Sequence, residues 1–286
     1  MTMRAMVLVG AGLLISSTAF ADGDPPGDMP PVDSEWSSEI GNRSLITPEG
    51  KLEIHGGIPI VEVTGTSPTG IVTHDTTELL SLGASFGVIP KLELGADYSA
   101  ILHPNASAGG LLTFHGAYLV LHRDKLDIAA AGALTFNLDG STKVGLSLGA
   151  WLRYRITRMF SVFTGNNGIP TALAGLTEYF QPPPVGYQLA IGFNNNQPVT
   201  FAFPVGVGIQ ATPNIYAFFA TEVANIWFAN GQNGKRGEVL FADFIPVSIG
   251  GFYSMAKFDA GIVFADDLKA AGDDYIITFV GRYYIK

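Results

Sequence analysis

The stretch FGVIPKLELGADY, residues 86–98, decides how this chain is read. A strand of small and aromatic residues reaches a tight turn at Ile89 and Pro90, and the chain leaves it in strict alternation. Leu92, Leu94, Ala96, Tyr98 and Ala100 fall on one side; Lys91, Glu93, Gly95, Asp97 and Ser99 fall on the other. Successive side chains of a strand point to opposite faces, so the segment has an oily face and a charged face. The same phrase returns as LVLHRDKLDIAAAG (119–132), LRYRITRMFSVF (152–163), VGIQATPNIYAFFA (207–220) and GFYSMAKFDAGIVF (251–264). A looser copy, ITPEGKLEIHGG, opens the series at 46–57. A strand, turn and strand reused at fairly regular spacing predicts an antiparallel meander.

Composition says where such a meander belongs. Of 286 residues, 14% are charged and 47% hydrophobic, against about 25% charge in an ordinary soluble chain. No run after residue 21 reaches the ~20 apolar residues of a spanning helix. Apolarity placed on every second residue suits a lipid-facing barrel wall. The fold expected is all-β: an antiparallel up-and-down transmembrane β-barrel of 12 strands, with 14 as the alternative. The competing soluble fold is a secreted β-sandwich or small barrel.

Absence of cysteine removes disulfides, thiolate metal sites and a lipidated Cys after the leader. No cofactor and no metal site is expected. Net charge is −9, and −10 once Arg4 leaves with the leader. That balance argues against nucleic acid as a partner, which needs a basic face.

Residues 1–21 read as a secretory signal: Arg4 is the charged n-region, 5–15 the apolar core, and Ala19, Phe20 and Ala21 fit a small-x-small cleavage site. Residues 22–50, rich in Pro, Asp and Gly, read as a flexible periplasmic tail, too polar to offset its ordering entropy. The barrel occupies 51–286, with strands expected at 51–63, 76–89, 91–102, 110–122, 126–138, 142–156, 158–165, 199–211, 215–228, 238–254, 257–265 and 274–285. Alternation is clearest at 143–156, where Val144, Leu146, Leu148, Ala150, Leu152, Tyr154 and Ile156 oppose Gly145, Ser147, Gly149, Trp151, Arg153 and Arg155.

Short turns at 89–90, 123–125, 157, 212–214 and 255–256 fall on every second connection, and longer loops on the others. Barrels of this kind keep short turns in the periplasm, which places both chain ends there and the protein in the outer membrane. The exception is 166–198, long for a plain loop. It is either a cap folded into the barrel mouth or, through 171–180 and 186–193, two further short strands turning at 182–184. Aromatics near strand ends (Phe86, Tyr98, Tyr154, Tyr216, Trp227, Tyr253, Tyr275, Tyr283) predict headgroup-level belts.

The leader, the repeated hairpin and the closing strand DYIITFVGRYYIK (274–286) together resemble Gram-negative outer-membrane β-barrels. The phrase FGVIPKLELGADY is also similar to a recurring hairpin of the transporter family linked to the phenol-degradation meta pathway. The first resemblance implies outer-membrane lipid as solvent and recognition by the barrel-assembly machinery through the C-terminal strand. That strand departs from the family pattern by ending at Lys286 rather than Phe. The second implies passive passage of small solutes, apolar or aromatic ones among them.

Candidate chemistry is sparse. GASFG (83–87) and GLSLG (145–149) match the nucleophile-elbow spacing, but Ser85 and Ser147 lie mid-strand, without the strand–turn–helix context that an elbow needs. His115 and His122 are seven apart on one strand and are expected to face opposite ways. His103 with Ser107, or His74 with Asp75, would be the rim pairs of an outer-membrane hydrolase. The charges expected inward are Glu93, Asp97, Asp127, Lys143, Arg153, Arg155, Asp259 and Arg282. They line a pore, or they pair across a plugged lumen and hold its shape. The leading expectation is a passive channel for a small-molecule solute and not an enzyme. A closed structural or adhesion barrel with ligand-binding loops stands second, and a rim hydrolase third.

Overall fold

A computed structural model of the chain describes residues 37–66, 72–103, 110–138, 143–164, 185–192, 199–230, 236–241, 246–267 and 275–285. All of these belong to one compact unit, residues 31–286. Fourteen strand segments follow one another: β1 Leu52–Thr66, β2 Val72–Ile89, β3 Leu92–His103, β4 Gly110–His122, β5 Leu126–Asn137, β6 Lys143–Arg155, β7 Phe160–Thr164, β8 Val185–Gly192, β9 Val199–Thr212, β10 Ile215–Asn230, β11 Arg236–Phe241, β12 Pro246–Ser254, β13 Phe258–Asp267 and β14 Tyr275–Ile285.

They make twelve staves. Both β7 and β8 lie between β6 and β9: Phe163 pairs with Arg153 and Gly206, while Tyr187 pairs with Leu148 and Phe201. The two segments are therefore successive parts of one stave. Likewise β11 and β12 share one edge of β10, against Ile226–Asn230 and Ile215–Thr221 respectively. Neighbours are antiparallel throughout, and β14 returns to β1, with Leu52 opposite Ile285 and Glu62 opposite Tyr275. The sheet thus closes into a ring, the arrangement that satisfies backbone groups in hydrocarbon.

The expected count of twelve holds, but the path through 166–198 differs. Residues 185–192 are wall, not loop, because GYQLAIG resumes the ladder to β6 after the chain has left it at Thr164. The other expected strand there, 171–180, lies outside the described residues.

The short turns are built locally. Thr157 Oγ1 accepts from the N–H groups of Met159 and Phe160, at 3.1 and 3.0 Å. Thr212 Oγ1 does the same for Asn214 and Ile215, at 3.3 and 3.1 Å. Hydroxyls that satisfy turn amides in this way compete with any continuation of the strand.

Period 2 then sorts the side chains. Leu82, Leu94, Phe114, Leu148, Val207, Phe219, Ile249, Ile262 and Phe279 stand on the outer surface, while Arg153, Asp127 and Asp259 are buried inside. Seven outward rings, Phe86, Tyr118, Tyr154, Phe160, Tyr253, Phe258 and Tyr283, lie within a few residues of the short turns. They form an aromatic girdle at that end. Tyr216, expected in a belt, is instead buried in the lumen.

The register also corrects one expectation about histidine. A bulge between Leu119 and Leu121 inserts an extra residue into β4 and reverses its parity. His115 and His122 consequently both point inward, the first toward Asp97 and the second onto Asp127.

Candidate functional site

The lumen at the short-turn end is occupied by the chain itself. Residues 37–50, expected within a flexible tail, enter the barrel before β1 begins, and a 3-10 turn at Ile40–Asn42 carries them across it. Ile40, Arg43, Leu45, Ile46 and Thr47 are all buried. The physical reason is that ITP and SLI supply apolar anchors, while the wall supplies side chains for the segment's backbone groups. Tail residues before Ser37 lie outside the described residues.

Three clusters of inward side chains meet this segment. In the first, Arg43 donates from Nη1 to Asp259 Oδ2 at 2.5 Å and from Nη2 to Oδ1 at 2.9 Å. The same guanidinium reaches Tyr284 Oη at 2.8 Å and Ser254 Oγ at 2.6 Å. Ser254 and Tyr284 each donate in turn to Asp259 at 2.5 Å, and Arg282 Nε lies 3.2 Å from it. Asp259 is 0% exposed yet fully engaged, as a buried carboxylate has to be.

In the second cluster Asp127 Oδ2 accepts from Arg153 at 2.7 Å and Arg155 at 2.6 Å, and Oδ1 meets His122 at 2.6 Å. The two arginines also donate to the segment's backbone: Arg153 to the carbonyls of Ile40 and Arg43, Arg155 to that of Gly41 at 3.1 Å. Gln210 Oε1 accepts from the Gly41 N–H at 3.0 Å.

In the third, Asp97 stands between two imidazoles, 2.6 Å from His55 Nε2 and 3.3 Å from His115 Nε2. Glu53 lies 3.2 Å from His55 and Glu93 4.0 Å from His115. Glu93 also accepts from the Thr47 N–H at 2.5 Å.

Glycines make this crossing of staves possible. A Cβ on Gly83 would strike Asp97 and His55, one on Gly95 would strike His115, and one on Gly87 would strike the carbonyls of Thr47 and Pro48. The G-x-S-x-G spacing at 83–87 is thus a pair of notches, one for an ion pair and one for the N-terminal segment. Ser85 is a buried wall residue between them.

Beyond the segment, part of the lumen wall is apolar. Phe163, Phe218 and Phe252 succeed one another at 6.4 and 6.3 Å between ring centroids. Each ring lies over a glycine of the next stave: Phe163 over Gly206, Phe218 over Gly250, Phe252 over Gly261. Ile40 of the N-terminal segment packs into this cluster.

Of the eight charges expected inward, Glu93, Asp97, Asp127, Arg153, Arg155, Asp259 and Arg282 are brought together with one another or with the segment. Lys143 opens β6 opposite Gly192, and its side chain lies outside the described residues. Arg43, His55, Gln210, Ser254 and Tyr284 were not singled out by the sequence. His55 had a signal, since it alternates with Glu53 in the copy at 46–57; Arg43 had none. Among the rim candidates, His74 stands outward beside Thr64 at 3.1 Å and Glu62 at 3.7 Å. Asp75 follows it on the same strand and so points to the other face; Ser107 lies outside the described residues.

No family model and no curated protein matches the chain, so the narrower transporter resemblance gains no support there. Solved structures do resemble it. The COG4313 outer membrane channel from Pseudomonas putida F1 superposes with a TM-score of 0.55 at 12% identity, over 90% of this chain and 100% of that one. The KdgM porin in complex with disordered oligogalacturonate gives 0.50 at 8% identity, over 82% and 99%. At these identities the likeness is one of fold: this chain has the fold of outer-membrane β-barrel channels.

Proposed function

We propose that the protein is an outer-membrane channel through which small solutes diffuse passively. The observation that carries this is the division of its wall. A closed ring of twelve staves turns rows of apolar side chains outward and buries Asp97, Asp127, Arg153, Asp259 and Arg282 within. A base turned to the lipid at the midplane would cost about 2–4 kcal/mol, so the division is what a transmembrane wall requires. On this reading the short-turn end and both termini face the periplasm, residues 1–21 are the cleaved leader, and β14 is the strand presented to the barrel-assembly machinery. The inward charges, Lys143 with them, belong to the path of a small-molecule solute. The phenyl row Phe163, Phe218 and Phe252 supports an apolar or aromatic solute.

A second reading is a closed structural barrel with binding loops. It is favoured by the occupied short-turn end, where Asp127 and Asp259 are bonded on every side. Purified protein in planar lipid bilayers separates the two. Discrete conductance steps support the channel; their absence under applied voltage supports the closed barrel and sinks the channel.

A further inference from the structure

We propose that residues 37–47 are a stopper, tethered to the wall by the turn at Pro48–Lys51, that leaves and re-enters the short-turn end of the lumen. The inference rests on the channel reading above and names the element that would gate it.

The tether is visible in the backbone, where the Lys51 N–H donates to the Pro48 carbonyl at 3.1 Å and closes a turn through Gly50. Gly50 has φ +71°, in the left-handed region that favours glycine, and a Cβ there would meet nothing within 4 Å. The turn is itself fixed to the wall: the Gly50 N–H donates to the Gly87 carbonyl at 2.8 Å, and the Gly87 N–H to that of Lys51 at 3.1 Å. On its near side the chain joins the sheet, among the described residues, through one isolated bridge between Glu49 and Gly87. Before Pro48, the bonds from the segment to the wall described above all involve a side chain. No strand ladder holds the segment among the described residues, so none has to be unzipped to release it. Contacts from Arg153, Arg155, Gln210 and Glu93 need only be exchanged for water.

Release leaves the buried Asp259 and Asp127 with cations, while Glu93 exchanges the Thr47 N–H for water and keeps His115 at 4.0 Å. Asp259 loses Arg43 but keeps Arg282 at 3.2 Å, and Asp127 keeps Arg153, Arg155 and His122. A buried carboxylate deprived of its last cation is what makes breaking an internal ion pair prohibitive, and here that penalty does not arise. Arg43 itself passes into water. In the closed position Ile40 covers the phenyl cluster, so opening would uncover an apolar surface as well as a passage.

The test uses the full chain and its lack of cysteine. A Cβ at Gly41 would stand 3.8 Å from the Gln210 Cβ, inside the ~3.5–4.5 Å range of a disulfide. In the double variant Gly41→Cys/Gln210→Cys the stopper can be locked by oxidant and freed by reductant, so each protein sample is its own folding control. The single variant Gly41→Cys, probed with a water-soluble maleimide, reports whether position 41 ever leaves the lumen. The result expected is labelling of the single variant in the folded barrel, conductance steps in the reduced double variant, and their reversible loss on oxidation. Equal conductance in both redox states, or steps without labelling, overturns the gate and leaves the channel standing. Failure of the pair to oxidise in the folded protein also overturns it, because the closed position would not be as described. Labelling without steps in any form overturns the channel reading and the gate with it.

Discussion

Arg43 and Asp259, 216 residues apart in the chain, meet in a two-pronged contact at 2.5 and 2.9 Å inside the barrel. The pair joins the segment that precedes the first strand to the penultimate stave. Through Tyr284 it also touches the stave that closes the ring.

That contact sets the first prediction. Removing the guanidinium by Arg43→Ala takes four donated bonds from the wall but leaves Asp259 beside Arg282. The loss should therefore fall below the ~3–5 kcal/mol of a carboxylate left alone, at about 1–3 kcal/mol. Urea unfolding in lipid vesicles, followed by heat-modifiable gel migration, should show the lower midpoint. An unchanged midpoint would mean that the segment adds nothing to barrel stability.

Asp127 is the converse case. It separates Arg153 from Arg155, and Asp127→Ala would leave two guanidinium groups facing each other with no intervening charge. We expect a loss of about 3–5 kcal/mol. Arg155→Ala should cost less, because Arg153 still holds Asp127 at 2.7 Å. The same urea series decides it; a larger loss for Arg155→Ala than for Asp127→Ala would contradict the assignment.

The notches in β2 and β3 are steric. Gly83→Ala forces a methyl into the contact between His55 and Asp97, and overpacking of this kind costs roughly 1–3 kcal/mol. In an Asp97→Ala background the clash with Asp97 is gone and His55 is freed to swing aside, so the added penalty of Gly83→Ala should shrink. Equal penalties in the two backgrounds would show that the glycine is there for some other reason.

The outer face is testable at a single position. Leu148 is 49% exposed on β6, well away from the short turn. Leu148→Arg should destabilise the folded protein in bilayers by about 2–4 kcal/mol if hydrocarbon surrounds it. A neutral effect in lipid would place that face in water and undo the transmembrane reading.

Much of the wall is legible from local sequence. Because side chains alternate along every strand, residues 143–156 alone separate Leu148 and Tyr154 from Arg153, and the separation stands in the structure. Turn chemistry at Thr157, Thr212 and the Arg123 to Leu126 corner is local too, and so the short-turn connections could be placed. Parity survives only while the ladder is regular, however. One bulge at Leu119 reversed the facing of His122, and nothing in LVLH marks it.

What alternation along a strand determines by itself is a closed ring with oil outside and charge within. It is silent on which charge meets which, because partners are chosen by register between staves and by what fills the space they enclose. The meeting of Asp97 with two histidines, the splitting of two staves into β7 with β8 and β11 with β12, and the passage of Arg43 into the lumen are of that second kind. Each depends on side chains from distant staves converging on one volume, and a polar, proline-rich N-terminal stretch carries no local sign that a dozen walls will supply its missing partners.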